Sequence, residues 1–430
     1  MAVSGEVPGR YQESALSGER RRPMTGSGRR INPGLAWYIG STAFFLVPGG
    51  IQMVLQPWLV AVYLEESASK LGLLQTAGQL PMVLLILWGG LLGDRVDQRR
   101  LLIGLQSAMA VPPLVMALLV QADLLIYGVL VAWSFIGGCF AAFAQPARDA
   151  LLNRVAGRDI QRVVTLTIGV QFGVQIIGFG FGSFAETTGP APLMVAQCLL
   201  MLLAVAATMR IPVQNSVLTH PRGSALRDIA EGVALVWRSP AIRPAILITF
   251  AVGVFFAGAY MVILPFMVRD LYAGSAGGIA LVFASNMLGT CTTIFVLMRR
   301  GGLMRPGRAM IIGSSISLTV LSLLSLELPV WAFYGVVYIW GLCGGVSMTM
   351  SRAIVQEASP DSHRARVLSV YSLGMMGGMP IGALLQGACV DAFGVRAAVL
   401  LPVVGMAIVV LLIVTRTRLW HVRRGGVLPA

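Results

Sequence analysis

Long apolar stretches dominate the chain and recur from Leu35 to Val414. Each holds about 20 residues and is followed by a short break with charges, glycine or proline, and a helix of about 20 apolar residues spans the hydrocarbon core of a bilayer. We therefore predict twelve transmembrane helices, numbered from the N-terminus, at residues 35–62, 70–92, 101–121, 124–147, 161–185, 190–210, 243–268, 275–298, 307–326, 330–351, 365–390 and 396–415.

The composition supports a bilayer as the solvent of this chain. Of the 430 residues, 56% are hydrophobic and only 12% are charged. A soluble protein of this length would lack the polar residues needed to cover its surface. The sequence predicts an all-α membrane protein.

The formal charge of +14 could indicate a nucleic-acid partner, so the positions of the charges decide. Each loop takes the number of the helix that precedes it. The two tails and the even-numbered loops hold 29 of the 32 Lys and Arg residues. The odd-numbered loops hold the other three, Lys70, Arg269 and Arg396. This asymmetry follows the positive-inside rule. It predicts a multi-pass protein of the bacterial inner membrane with both termini in the cytoplasm, and it argues against nucleic acid.

The spacing of the helices predicts two six-helix bundles joined by one long loop. The expected segments are a disordered cytoplasmic tail, an N-terminal bundle, a central cytoplasmic loop, a C-terminal bundle and a second cytoplasmic tail, at residues 1–34, 35–210, 211–242, 243–415 and 416–430.

The central loop contains an amphipathic pattern. The apolar residues share one helical face and are Leu226, Ile229, Val233 and Val236. The charged residues lie on the opposite face and are Arg227, Asp228, Glu231 and Arg238. We expect a helix lying on the cytoplasmic membrane surface.

The two halves of the chain repeat each other. The run from Trp88 to Leu92 at the end of helix 2 recurs as the run from Arg300 to Met304 after helix 8. A repeat offset by half the chain, with an even number of helices in each half, indicates parallel repeats related by an axis along the membrane normal. The two bundles are therefore expected to be pseudo-symmetric.

The turn between helices 2 and 3 holds the densest set of candidate functional residues. It reads Gly90-Leu91-Leu92-Gly93-Asp94-Arg95-Val96-Asp97-Gln98-Arg99-Arg100. A glycine at position 90 permits close helix approach, and Asp94 would place a carboxylate at the start of helix 11, near Arg366. Such a contact forms only while the cytoplasmic side is closed, so it would act as a conformational latch. The alternative is a solvated turn that only helps to orient the protein.

This turn resembles the signature of the major facilitator superfamily, G-x-x-x-[DE]-[RK]-x-G-x-[RK]-[RK]. The matching residues are Gly90, Asp94, Arg95, Arg99 and Arg100. Asp97 replaces the second glycine, so a looser turn is expected, and Pro306 replaces the acid in the second half. The resemblance implies the major facilitator fold and an arginine partner for Asp94 at the end of helix 4, which is Arg148.

Two further segments are similar to the branch with enterobactin exporters and macrolide efflux proteins. One is Gln145 to Arg148, which we expect to close helix 4, and the other runs from Pro360 to Gly382. Both favour export. Helix 5 lacks the proline and the last glycine of the antiporter element of this family, so antiport stays one alternative among others.

Amide side chains are the main polar residues inside the predicted helices. In this fold, helices 1, 4, 7 and 10 line the cavity, and helices 2, 5, 8 and 11 flank it. The predicted substrate cavity is lined by Gln52, Gln56, Trp133, Gln171, Gln175, Tyr260 and Asn286. The alternative is that individual amides only join neighbouring helices. Gln75 and Gln79 are expected nearer the periplasmic mouth.

No charged residue falls near the predicted midplane of the bilayer. A fully charged substrate would therefore lose its hydration without a counter-charge, and neutral or charge-delocalised amphipaths should be preferred. Any proton carrier would have to be a carboxylate at a helix end. Glu65 and Glu66 are the first choice, ahead of Asp123, Glu186 and Asp94.

The sequence favours a secondary transporter that exports a small amphipathic compound, such as a drug, siderophore or secondary metabolite. An uptake permease of the same fold and a non-transporting membrane sensor are the alternatives. The sequence has no nucleotide-binding loop, metalloprotease motif or nucleophile elbow, so no enzymatic activity and no cofactor are expected. Its five cysteines are isolated within helices and predict no metal site. We expect a monomer.

Overall fold

The computed structural model describes residues 33–156, 160–212, 225–301, 303–360 and 363–423. Within these ranges, the side chains at 86–87, 89–95, 160–162, 164–165, 225–229 and 365 are not described. The described residues form helices joined by short turns, without a β-strand. The fold class is therefore all-α.

Long helices occupy the positions that the apolar pattern predicts. Helices 1 to 6 are Pro33–Trp58, Ala68–Arg95, Gln98–Gln121, Tyr127–Ala156, Ile160–Gly182 and Pro190–Met209. Helix 1 continues into a π-helical turn, Leu59–Tyr63. Helices 8 to 12 are Ala276–Arg299, Pro306–Ser322, Val330–Ala358, Arg364–Phe393 and Leu400–Arg416.

Helix 7 differs from the others because it changes its winding in the middle. It begins as Ile242–Ala251, passes through two π-helical turns, Val252–Ala257 and Ala259–Ile263, and ends as Leu264–Leu271. Within long helices, π turns occur mostly as short insertions and often at functional sites.

Eleven of the described helices are long and apolar enough to cross a membrane. Helix 2 is not among them, and its first half carries Lys70, Gln75 and Gln79. It is nevertheless 28 residues long and packs between helices 4 and 11, and the amide of Gln79 donates to the sulfur of Met261 in helix 7. The twelve-helix architecture expected from the sequence is confirmed.

The predicted end of helix 4 is wrong. We expected the segment Gln145 to Arg148 to close this helix, but the helix continues through Pro146 to Ala156. The residues beyond the apolar run form an amphipathic extension, in which Leu151, Leu152 and Val155 are buried. The hydropathy pattern detects the membrane-spanning part and misses such an extension.

Glycines bring equivalent helix pairs of the two halves into close contact. A Cβ atom on Gly50 of helix 1 would lie 2.6 Å from the Gln175 carbonyl of helix 5. In the second half, a Cβ atom on Gly253 of helix 7 would lie 2.6 Å from the Met375 carbonyl of helix 11. Helices 1 and 5 therefore pack like helices 7 and 11, as the pseudo-symmetry of this fold requires.

The halves meet near one end of the bundle. We call the end with Pro33 and Arg416 the basic end, and the end with Ala68 and Phe393 the opposite end. Near the opposite end, helix 2 packs on helix 11, where the hydroxyl group of Thr76 donates to the carbonyl of Pro380 at 3.0 Å. Both carboxylate oxygens of Asp391 also accept hydrogen bonds from the start of helix 2.

The central loop contains the surface helix Ala225–Arg238. Its Gly232 packs against the carbonyl of Arg366 on helix 11, while Val233 is 44% exposed. Val236 is buried. Gly232 permits the close contact with helix 11, and the position of this helix on the membrane surface stays a prediction. Leu226 and Ile229 lie outside the described side chains.

Candidate functional site

The turn between helices 2 and 3 contains only Val96 and Asp97. Asp97 caps helix 3, because its carboxylate accepts a hydrogen bond from the backbone N–H of Arg100 at 2.8 Å. Its φ of −60° is accessible to any residue, so the glycine of the family signature is not needed and the turn is tight rather than loose. The side chains of Asp94 and Arg95 are not among those that the structure describes. The role of Gly90, Asp94 and Arg95 in a latch stays a prediction.

Arg99 has a partner within its own half. Its Nε donates to the carbonyl of Thr208 at 3.2 Å, and a terminal nitrogen donates to the carbonyl of Met209. Both carbonyls end helix 6, where a positive charge is favourable. Arg99 therefore ties helix 3 to helix 6, while Arg100 is exposed.

Arg148 is buried on the inward side of helix 4. Its guanidinium carbon lies 4.8 Å from the ring centroid of Phe45, and its backbone carbonyl accepts a hydrogen bond from the hydroxyl group of Tyr38 at 3.1 Å. Its Nε has no hydrogen-bond partner among the described residues. A buried guanidinium with an unused donor suits the carboxylate partner that the sequence predicts.

Asp149 is a candidate that the sequence reasoning missed. Its carboxylate is exposed, accepts a hydrogen bond from the Gln145 amide at 3.2 Å and interacts electrostatically with Arg352 of helix 10. The two residues belong to different halves. Asp149 follows Arg148 in a segment that we took as a helix end, and no spacing rule distinguishes it from other loop acids.

The start of helix 11, where the latch is expected, borders the surface helix. An Arg366 nitrogen lies 2.6 Å from a carboxylate oxygen of Glu231. The segment from Gly378 to Gly382, which the sequence singled out, is the contact surface for helix 7. Its glycines therefore have a packing role.

A cavity of about 200 Å³, called the larger cavity, lies within the second half. Its lining includes Phe256, Tyr260, Asn286, Trp340, Met348 and Met375. The rings of Phe256 and Trp340 meet edge to face at 5.9 Å. Tyr260 and Asn286 were predicted to lie there, whereas Trp340 and the methionines were missed because apolar residues inside helices carry no distinguishing pattern. The two π turns of helix 7 supply Phe256 and Tyr260.

The smaller cavity has a volume of about 190 Å³ and lies between the two halves. It is lined by Gly49, Gln52, Met53, Gln56, Gln75, Met261 and Phe283. Gln52 and Gln56 were predicted to line a cavity. Gln175 lies beside it and donates from its amide nitrogen to the sulfur of Met53 at 2.9 Å.

Two residues of the predicted substrate cavity lie elsewhere. Trp133 is buried in the apolar core, and Gln171 is exposed on helix 5. Neither lines the two cavities described above.

The predicted proton carriers follow the π turn of helix 1. Glu66 forms an ion pair with Lys70 at 2.5 Å, and its backbone carbonyl accepts a hydrogen bond from Arg269 at 3.2 Å. Glu65 is exposed and has a positive φ of 51°. Neither residue borders either cavity.

Comparisons with known proteins identify the class of this fold. Residues 40–424 match the family described as transmembrane secretion effector. The chain is 26% identical to the multidrug efflux pump Tap of Mycolicibacterium fortuitum, covering 82% of this chain and 88% of that protein. It is 23% identical to the staphyloferrin A transporter of Staphylococcus aureus, covering 83% and 90%.

Solved structures show the same architecture. The nucleoside transporter NupG superposes with a TM-score of 0.72 at 13% identity, covering 90% of this chain and 99% of that chain. A bacterial homologue of the lysosomal transporter Spinster, in an inward-facing and unoccupied conformation, gives 0.69 at 14% identity, covering 90% and 97%.

The fold and the family match together define a non-enzymatic membrane transporter of small molecules. The chain belongs to the transmembrane secretion effector family of the major facilitator superfamily. This membership favours a transporter over the sensor considered from the sequence.

Proposed function

We propose that this transporter exports a small, amphipathic, uncharged or charge-delocalised compound by alternating access. The observation that carries this proposal is the lining of the larger cavity. Aromatic rings, thioethers, hydroxyls and the amide of Asn286 surround it, and none of its described lining residues is charged. A localised charge would be desolvated there without a counter-charge, whereas flat apolar groups could stack on Trp340 and Phe256.

The direction of transport is part of the proposal. The relative named a multidrug efflux pump supports export, and the charge asymmetry supports a cytoplasmic basic end in a bacterial inner membrane. In the present arrangement, helices 2 and 11 are joined near the opposite end. A state closed at the periplasm is the one in which an exporter would receive its substrate from the cytoplasm or the inner leaflet.

The test is transport by purified protein in sealed vesicles of defined orientation. Inside-out vesicles should accumulate the neutral amphipath chloramphenicol and the delocalised cation tetraphenylphosphonium, and should exclude the anion naphthoate. Accumulation only by right-side-out vesicles would favour the uptake permease. Preferential naphthoate transport would overturn the proposed substrate class.

Two tryptophans give a matched pair for the cavity. Trp340 is buried in its wall, and Trp331 is 79% exposed on the same helix. Trp340→Ala should reduce transport of both aromatic probes about tenfold, because the loss of an aromatic contact costs about 1–1.5 kcal/mol. Trp331→Ala should change it less than twofold. Equal effects of the two substitutions would contradict the assignment of the cavity.

A further inference from the structure

The smaller cavity has an unusual lining for the interior of a membrane protein. Its polar members, Gln52, Gln56 and Gln75, are all amides, and none of its lining residues is charged. Gln56 is only 6% exposed, and its Nε2 has no hydrogen-bond partner among the described residues. A buried N–H donor without an acceptor is costly, so this group requires an acceptor inside the cavity.

The other walls of this cavity are held in place by amides outside it. The sulfur of Met53 accepts from Gln175 at 2.9 Å, and the sulfur of Met261 accepts from Gln79 at 3.0 Å. These two contacts orient the thioethers from helices 1 and 7, one from each half. The cavity is therefore a structured chamber at the seam between the halves.

An aromatic layer separates the chamber from the larger cavity. Phe283 borders the chamber, Tyr260 borders the larger cavity, and their ring centroids are 4.7 Å apart. Phe179 of helix 5 packs on the other side of Phe283 at 5.9 Å. The layer joins helices of both halves, so a rocking motion of the halves would change it.

We propose that this chamber is a second binding site on the transport route, and that it takes an uncharged oxygen-bearing group of the transported compound. This inference rests on the proposed export function. The unused donor of Gln56 calls for a carbonyl, ether or hydroxyl oxygen, and the other amides can donate or accept. A carboxylate or ammonium group would lose its hydration without meeting an opposite charge.

The position of the chamber gives it a role distinct from that of the larger cavity. It lies at the seam between the halves and has lining residues from both, whereas the larger cavity is lined by the second half. A compound whose apolar body binds beside Trp340 would place its polar group in the chamber once the layer opens. The chamber therefore adds affinity for compounds that carry an acceptor.

The experiment compares two probes and two variants of the full-length protein in vesicles. Chloramphenicol carries amide and hydroxyl oxygens, whereas tetraphenylphosphonium has no hydrogen-bonding group. Gln56→Leu should lower the initial rate of chloramphenicol transport at subsaturating concentration about tenfold and change tetraphenylphosphonium transport less than twofold. Unfolding temperatures measured alongside establish that both variants are folded.

Gln197 of helix 6 is the matched control. It is 1% exposed, and its Nε2 also lacks a partner among the described residues, yet it borders neither cavity. Gln197→Leu should leave the ratio of the two transport rates unchanged. An equal effect of Gln56→Leu on both probes, or no effect on either, would overturn the proposal and leave a chamber that holds water only.

Binding separates this proposal from the proposed function. Equilibrium dialysis with chloramphenicol should show saturable binding that Gln56→Leu weakens about tenfold. Saturable, Gln56-dependent binding without accumulation in inside-out vesicles would support the chamber and overturn the exporter. Absence of saturable binding to the wild-type protein would overturn the chamber, even if tetraphenylphosphonium is exported.

Discussion

Asp391 near the end of helix 11 caps the start of helix 2. Its two carboxylate oxygens accept hydrogen bonds from the backbone N–H groups of Ala68 and Ser69, each at 2.9 Å. A carboxylate at a helix N-terminus is favoured by the partial positive charge there. The contact joins the two halves at the opposite end. Here a carboxylate of helix 11 caps the start of helix 2, whereas Asp94 is expected to place a carboxylate of helix 2 at the start of helix 11.

We expect Asp391→Asn to loosen the opposite end. An amide accepts through only one oxygen and carries no charge, and at this exposed position the loss is about 1 kcal/mol, or roughly fivefold in the closed population. The measurement is the rate at which an impermeant maleimide, added from the periplasmic side, labels Gln75→Cys in a background without the five native cysteines.

Asp123→Asn is the matched control for this prediction. Asp123 is an exposed acid at the same end, and its side chain has no hydrogen bond within the described part of the chain. The control should leave the labelling rate unchanged. Unchanged labelling in Asp391→Asn would show that helix packing alone keeps this end closed.

The latch at the other end gives a second prediction. Asp94→Asn and Arg148→Ala should each slow transport at least tenfold, and the double variant should be less than additive if the two side chains act together. Arg148 is buried beside Phe45, so its removal also affects packing. Arg148→Lys, which keeps the charge, separates the two effects. Full additivity would disprove the pairing.

Neighbouring glycines of helix 11 provide a test of helix packing. A Cβ atom at Gly378 would lie 2.5 Å from the Phe250 carbonyl of helix 7, whereas one at Gly377 would have no neighbour within 4 Å. Gly378→Ala should destabilise the protein by about 1–3 kcal/mol through overpacking. Gly377→Ala should be neutral or slightly stabilising, since alanine favours the helix. Thermal unfolding in detergent measures both, and equal melting temperatures would contradict the close contact.

The orientation in the membrane can be measured with two exposed positions. Met304 is 70% exposed at the basic end, and Leu124 is 61% exposed at the opposite end. A cysteine at position 304 should react with an impermeant maleimide only from the cytoplasm. A cysteine at position 124 should react only from the periplasm. The reverse pattern would invert the topology and with it the proposed direction.

The coupling ion requires its own measurement. Proton-driven export through a helix-end carboxylate predicts that Glu65→Gln/Glu66→Gln abolishes accumulation driven by an imposed pH gradient. Glu66 already has an ion-pair partner in Lys70, so Asp149→Asn is the informative comparison. Gradient-driven accumulation that survives in both variants would rule out these carboxylates as carriers.

The sequence predicts the helices well because lipid imposes a simple length rule on apolar runs. Helix 6 is predicted at 190–210 and observed at Pro190–Met209. The rule fails where helices leave the hydrocarbon, as after Pro146, because an amphipathic extension no longer needs an all-apolar sequence. The contact between the surface helix and helix 11 was not predicted, since hydropathy does not indicate which side of a helix meets a neighbouring helix.

The site was harder to predict than the fold. Buried amides such as Gln56 are conspicuous in the sequence because a polar group in the hydrocarbon region requires a hydrogen-bond partner or a cavity. Trp340 and Met375 are not conspicuous, since most residues around them are equally apolar, and only the packing of helices 7, 8, 10 and 11 brings them to one cavity. Asp391 was overlooked because its partners are backbone N–H groups, which have no signature in a sequence.

The irregular middle of helix 7 affects how the wall of the larger cavity can move. Each π turn contains about one residue more than an α turn over the same rise. Expelling that residue would rotate the rest of the helix by about 100°, since an α-helix advances 3.6 residues per turn. Tyr260 lies within the second π turn, on the boundary between the two cavities. The π turns therefore set which side of helix 7 carries Tyr260, and losing one of them would move this ring away from Phe283.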